Sequence, residues 1–493
     1  MSAPTSPQPA GSPSSEVHAG EPIPEESREL IARLDRIQTW SLSPAFLAII
    51  GVGFLFTFYD IFDINVSFVQ TCTQLVHGCT PENALSSLPL PTVLNLVGYV
   101  IGTLVLSPIS DRIGRRNMLL ITMLITGLGS LYTALSPDFG NFIASRIVTG
   151  IGIGADLAIV NTYVGEVSPR RSRAQFTTVV FIMSALGAFF GVWLGLFLTT
   201  EKAPWPTGLP FAVGLESGWR WMYAVGAILA LVAILLRFQL PESPRWLLQR
   251  GQHKEAEVVT ASMELRAAKT GALDLATTDG VPTHWPPTRR VPYADIFTHP
   301  VYLRRLILLF CMWFIGYITV YAYAAGFTSI FTAVGIPGPE AGVIAAVGTL
   351  GFVGEAVLMS FIVEKLERRY WLPVATVVTF IGVAVVATGG GTSIPLDFIG
   401  AILIFAGFNL WVSPSYAMTA EHFPTRARST GFAIVDGVGH VGGGIGILVL
   451  APIIPHLNVV GALILVSCFL IIASILAQFT VHTRNRSFEQ VSP

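Results

Sequence analysis

The chain has 493 residues, 52% of them hydrophobic and 12% charged, with a mean hydropathy of +0.64 and a formal net charge of −1. A soluble protein carries about 25% charged residues, so half that share excludes an ordinary soluble domain. The near-zero balance offers no basic field for nucleic acid. Cysteine usage excludes more: Cys72, Cys79, Cys311 and Cys468 are too few for a disulfide scaffold and are not spaced as zinc ligands. Cys72 and Cys79 alone lie close together, and bridged and free states are equally open.

In chain order, residues 1–43 read as an N-terminal tail. Up to Glu26 it is rich in Pro, Ser and Gly and is expected to be disordered. Leu30, Ile31, Leu34, Ile37 and Trp40 then recur at helical spacing, which predicts a short amphipathic cytoplasmic helix on the membrane surface. A merely polar leader is the alternative. The first apolar run begins after about 40 polar residues and is too long for a signal-peptide core, so it stays as a membrane helix.

A spanning helix needs about 20 mostly apolar residues, and the chain holds twelve such segments, centred near Phe56, Gly102, Gly127, Gly154, Ala185, Ala227, Gly316, Thr349, Ile381, Phe408, Gly443 and Val466. The predicted fold class is therefore an all-α membrane protein of twelve transmembrane helices in two six-helix repeats. The boundaries expected are 44–240 for the first bundle, 241–303 for a cytoplasmic linker, 304–480 for the second bundle and 481–493 for a cytoplasmic tail. Basic residues sort to one side: Asp111–Arg116, Pro169–Arg173, the linker, Glu364–Arg369, Pro424–Arg428 and the tail alternate with loops that hold little beyond Lys202. The positive-inside rule makes that side cytoplasmic, with both termini on it, in a multi-pass protein of the plasma membrane.

The halves repeat. "DRIGRR" at Asp111–Arg116 recurs as "EKLERR" at Glu364–Arg369, an offset of 253 residues, and "GEVSPRRSR" recurs around "EHFPTRAR", where Glu166 and Glu421 are 255 apart. Parallel repeats of this kind place a solute site at their interface near the bilayer midplane. The repeated acid–arginine loops read as a cytoplasmic gate made of Asp111, Arg112, Arg115, Arg116, Glu166, Arg173, Glu364, Arg368, Glu421 and Arg428. A pure topology signal is the plainer alternative.

At these motifs the chain resembles the major facilitator superfamily. "SPISDRIGRR" is similar to that superfamily's loop between helices two and three, with Ser107 where Gly is usual. "RIVTGIGIG", "GEVSPRRSR" and "PESPRWLLQRG" resemble the sugar porter and metabolite:proton symporter branches. The likeness runs from about Leu47 to Gln478. It departs from sugar porters at helix seven, where Met312–Ile318 carries no amide; at helix five, which lacks Gln; and after the last helix, where no P-E-T-K-G-like ending stands. The pattern is closer to aromatic-acid:proton symporters, which also keep Asp residues in helix one.

Charges inside the spans are the remaining signal, because intramembrane ionisable groups are functional by default. Asp60 and Asp63 fall in helix one, about two turns from its outer end, and Arg146 lies at similar depth in helix four. The resemblance implies that Asp60 titrates with Arg146 as partner and that both helices line the cavity; a static ion pair is the alternative. Asp156 is a candidate solute contact, with the capping of a local hydrogen-bond network as the equal alternative, and Glu355 is a second proton or solute site. Trp313, Tyr317, Asn409, Trp411 and Tyr416, with Tyr321, Tyr323 and Ser413 beside them, are candidates for an aromatic pocket. Asp436 and His440, four apart, are expected to satisfy each other. Gly150 and Gly154 form G-x-x-x-G inside an apolar helix, which suits close helix approach rather than a dinucleotide loop. No P-loop or H-E-x-x-H occurs.

The function expected is a secondary transporter that moves a small organic solute, an organic acid or aromatic metabolite in preference to a hexose, by alternating access with proton symport. Sugar:proton symport, uniport, proton-driven drug export and a non-transporting solute receptor are the alternatives. The expected partners are the solute, protons and the lipid bilayer, for a monomer that is not an enzyme and carries no cofactor or metal.

Overall fold

The structure, a computed structural model, describes residues 22–37, 41–42, 44–168, 173–269, 273–276, 281, 283–284, 296–389, 393–423 and 431–483, without the side chains of 44, 111, 165, 173, 174 and 177. It is nearly all helical. Among the described residues, twelve helices are long and apolar enough to cross a membrane. We number them span 1 (Ala45–Phe62), span 2 (Ala84–Ser110), span 3 (Arg115–Ala134), span 4 (Phe139–Val164), span 5 (Thr178–Thr199), span 6 (Gly218–Arg237), span 7 (Pro300–Ala333), span 8 (Gly338–Ile362), span 9 (Arg368–Thr388), span 10 (Ile394–Glu421), span 11 (Ala433–Leu450) and span 12 (Val459–Gln478). A bilayer core offers backbone groups no water, so each crossing closes its own hydrogen bonds as a helix. Leu128, Ile228, Phe361, Ile381, Val449 and Ile475 stay exposed on the outer surface, as lipid-facing side chains do.

Span 1 is longer than its apolar run. Asp63 donates its backbone N–H to Tyr59 O at 2.9 Å, and the helix continues as Ile64–Leu75. Asp60 and Asp63 therefore lie near the middle of one long helix, about 20 Å from its far end, and not two turns from it. The first six spans meet the last six along three seams: span 5 on span 8, span 2 on span 11, and Ile64–Leu75 on span 7. The span 2–span 11 seam has π-helical turns on both sides, Gly102–Leu106 and Ala433–Val438. On the third seam Asn65 donates to Tyr323 O (2.9 Å) and Ala324 O (2.7 Å) and accepts from Thr328 Oγ1 (2.7 Å), which holds the two helices shut there. The G-x-x-x-G of span 4 sits against span 2: a Cβ on Gly150 or Gly154 would fall 2.0 or 2.1 Å from the carbonyls of Asn95 and Tyr99.

The helix expected on the membrane surface forms elsewhere. Glu25–Asp35 buries Leu30, Ile31 and Ala32 against Leu247, Leu248, Ala256 and Val281, at the arginine-rich face. The hydrophobic face meets protein, and charges fix the contact: Glu264 takes Arg33 at 2.7 Å and Arg36 at 2.6 Å, and Arg245 takes Asp35 at 2.5 Å. Trp40 and residues 1–21 lie outside the described set. Cys72 and Cys79 are bridged on the opposite face.

Candidate proton and solute site

Three spans deliver the first buried cluster. Arg146 of span 4 reaches Asp60 of span 1 twice, Nη1 to Oδ2 at 3.2 Å and Nη2 to the Asp60 carbonyl at 2.9 Å. Ser130 of span 3 donates to Asp60 Oδ1 at 2.9 Å. Asp63 stands 3.9 Å from the same guanidinium, and neither of its carboxyl oxygens has a hydrogen-bond partner. Both aspartates have 0% exposure and Arg146 2%. Two carboxyl groups on one guanidinium leave a net negative charge that one proton removes.

Asp156 sits in a local hydrogen-bond network, the alternative to a solute contact. Its two oxygens face Arg237 of span 6, at 2.5 Å to Nη1 and 2.9 Å to Nη2, and Thr122 donates to Oδ1 at 2.8 Å. Both partners have 0% exposure. The carboxylate is fully used in holding spans 3, 4 and 6 together. Gly53 of span 1 makes room: a Cβ there would lie 1.8 Å from Arg237 Nη2.

The aromatic candidates converge on the seam between the halves. Tyr317 donates to Asp436 Oδ1 at 2.7 Å, and Tyr99 of span 2 donates to Oδ2 at 3.2 Å. The His440 ring stacks on Tyr99 at 4.1 Å and lies 4.0 Å from Tyr317. Tyr416 Oη is 3.4 Å from Tyr317 Oη, and its ring stacks on Trp313 at 5.1 Å. Trp411 lies 4.8 Å from Trp313. The Trp411 indole N–H, Asn409 Nδ2 and Ser413 Oγ are buried without partners. Tyr323 is turned away, bonded to Leu463 O and Ser467 of span 12. Asp436 and His440 do pair, at 3.4 Å, yet they are tied to two tyrosines besides. Glu355 of span 8 is buried, with its Oε2 unpartnered.

The expected gate residues pair within each half. Arg115 Nη2 meets Glu166 at 3.0 Å, and at the equivalent place Arg368 meets Glu421 at 3.9 Å and Glu364 at 2.8 Å. Matching pairs at matching repeat positions follow from the duplicated motif. Glu242, which the sequence reading passed over, accepts the backbone N–H of Arg115 at 3.0 Å and of Arg116 at 3.2 Å. Burial raises the Glu242 carboxyl above its ordinary range against the pull of those N–H groups. Arg112 is exposed, and its carbonyl accepts from Arg250 at 2.8 Å. The side chains of Asp111 and Arg173, and Arg428 altogether, lie outside the described residues.

Tyr99 and Arg237 are the further residues that sequence reasoning missed. Arg237 closes span 6 and reads as a flanking arginine; the unmatched Asp156 was the signal that a cation had to reach it.

This architecture has relatives. Residues 45–493 match the family model described as sugar (and other) transporter. The chain belongs to that family, within the major facilitator superfamily. It is 27% identical over 413 residues to a D-xylose transporter of Levilactobacillus brevis, covering 80% of this chain and 84% of that one. It is 26% identical over 414 residues to the 4-hydroxybenzoate transporter PcaK of Pseudomonas aeruginosa, covering 82% and 86%. Among solved structures, the proton:xylose symporter XylE bound to 6-bromo-6-deoxy-D-glucose matches with a TM-score of 0.67 and 20% identity over 91% of this chain and 98% of that one. The protein is thus a multi-pass membrane transporter of the secondary type.

Proposed function

We propose that the protein is a proton symporter for a small organic solute, with the Asp60–Asp63–Arg146 cluster as its proton site and the aromatic cluster around Asp436 as its solute site. The observation that carries this reading is the uneven charge of the first cluster: two fully buried carboxyl groups share one guanidinium, and the Asp63 carboxyl oxygens have no hydrogen-bond partner. A proton bound there lets the buried helices reorient without an uncompensated charge. The arginine-rich face is cytoplasmic in this reading, which puts the Cys72–Cys79 bridge on the oxidising side. The plasma membrane is the membrane that meets both conditions. The Arg115–Glu166 and Arg368–Glu421 pairs then brace the cytoplasmic ends of the two halves.

An organic acid fits the solute site less well than the sequence suggested. Arg146, the arginine well inside a span, is already held by Asp60. An aromatic metabolite remains, and sugar:proton symport is the second reading. The unpartnered donors of Trp411 and Asn409 suit hydroxyl oxygens, and the relatives include a D-xylose transporter.

Reconstitution in proteoliposomes tests the symport. Asp60→Asn and Asp63→Asn should each keep exchange of labelled for unlabelled solute, because the reoriented carrier no longer needs a proton. Each should lose accumulation driven by an inward proton gradient. If the double variant still accumulates solute, the cluster is a static brace and the proton site lies elsewhere, with Glu355 next to be tried.

A further inference from the structure

The Asp436 cluster spans the two halves, and its charge is unbalanced. The chain's lysines, Lys202, Lys254, Lys269 and Lys365, all lie outside the spans. Arg146 is spent on Asp60 and Arg237 on Asp156. The group beside Asp436 able to carry positive charge is His440, and its Nδ1 lies 2.7 Å from the Asp436 backbone carbonyl. A carbonyl only accepts, so Nδ1 carries a hydrogen and the ring can stay neutral. With His440 neutral, one negative charge remains, ringed by Tyr99, Tyr317, Tyr321, Tyr416, Trp313 and Trp411.

We propose that this box takes an organic cation, a protonated or quaternary amine, as the transported solute. The proposal rests on the transport reading above and adds the charge of the cargo. An anion would stand beside a buried carboxylate with no cation to offset it, whereas an ammonium neutralises Asp436. Aromatic faces around a desolvated carboxylate also favour cations through the ring quadrupole. In the closed arrangement Tyr99, from the first six spans, occupies Asp436 Oδ2. When the halves part, Tyr99 leaves with its own half and that oxygen becomes free to accept from the cargo. The buried, unpartnered N–H groups of Trp411 and Asn409 supply donors for an oxygen elsewhere on the same molecule.

Three probes with a common phenol body and different charge test this on the purified full-length protein: tyramine, tyrosol and 4-hydroxyphenylacetate, titrated calorimetrically near neutral pH. Tyramine should bind, tyrosol about tenfold more weakly or worse, and 4-hydroxyphenylacetate not at all. Asp436→Asn should bring tyramine down to the level of tyrosol. Asp436→Glu, which keeps the charge, should preserve the preference for the amine, and the melting temperatures of both variants report that they fold. Equal or tighter binding of 4-hydroxyphenylacetate overturns the proposal, as does an undiminished amine preference in Asp436→Asn, or no binding by any of the three. Binding needs no gradient, so tyramine that binds but whose uptake ignores a proton gradient sinks the symport reading alone. Gradient-driven uptake of 4-hydroxyphenylacetate sinks the cation alone.

Discussion

Two buried ion arrangements sit in the first six spans, equally hidden from water and differently balanced. At Asp156 one carboxylate meets one guanidinium through two hydrogen bonds, with Thr122 completing its coordination. At Asp60 and Asp63 two carboxyl groups divide one guanidinium, and one of them is left without a hydrogen bond. Burial alone therefore does not mark a working site. The balance of charge does: a closed one-to-one pair has nothing to gain from a proton, and a two-to-one cluster does. Under the proposed function, the difference makes the first arrangement a brace and the second a switch.

The largest effect should come from unbalancing the brace. Arg237→Ala leaves Asp156 buried without its counter-charge, and it should cost about 3–5 kcal/mol, seen as a large fall in melting temperature in detergent. Replacing both partners, Asp156→Leu with Arg237→Met, should recover most of that loss; failure to recover would mean that the pair does more than hold helices. A smaller fall is expected from Gly53→Ala, which drives a methyl group into Arg237 and costs about 1–3 kcal/mol by overpacking. Asp63→Asn should leave the melting temperature unchanged or raised, since it removes a charge that the guanidinium only half offsets. A marked fall there would make the two arrangements alike.

The smallest effect lies outside the membrane. Burial alone would push the Glu264 carboxyl up, but the hydrogen bonds from Arg33 and Arg36 outweigh it and hold it below the usual range. A carboxyl lowered in the folded state stabilises above its free value of about 4.3, and that contribution fades as pH falls through the folded value. Protease cleavage between Glu25 and Asp35 should therefore speed up only below about pH 4. Glu264→Gln should make cleavage faster at neutral pH and remove the acid step.

Much of this was legible in the residues. Twelve crossings follow from length and hydropathy, and the repeat from two motifs at nearly one offset. The meeting of Asp60 with Arg146 was implied by the family resemblance, and the structure pairs them. What was not legible has physical reasons. Ile64–Leu75 is too polar to read as membrane helix, although it follows span 1 after a single turn residue, Asp63. An apolar stripe such as Leu30–Ile31–Leu34 cannot say whether lipid or protein will cover it. Tyr99 carries no charge, so its place on Asp436 appears only once spans 2 and 11 are packed.

The docking of the N-terminal helix has a practical consequence. Glu25–Asp35 is fastened to Arg245 and Glu264, and the same linker is fastened to the first six spans through Glu242 on Arg115 and Tyr163 on Pro241 O at 2.8 Å. The Glu25–Asp35 helix thus rides on one half. A fluorophore at Glu29 and a second at Lys365 would form a molecular ruler, whose energy-transfer efficiency follows the rocking of one half against the other in real time.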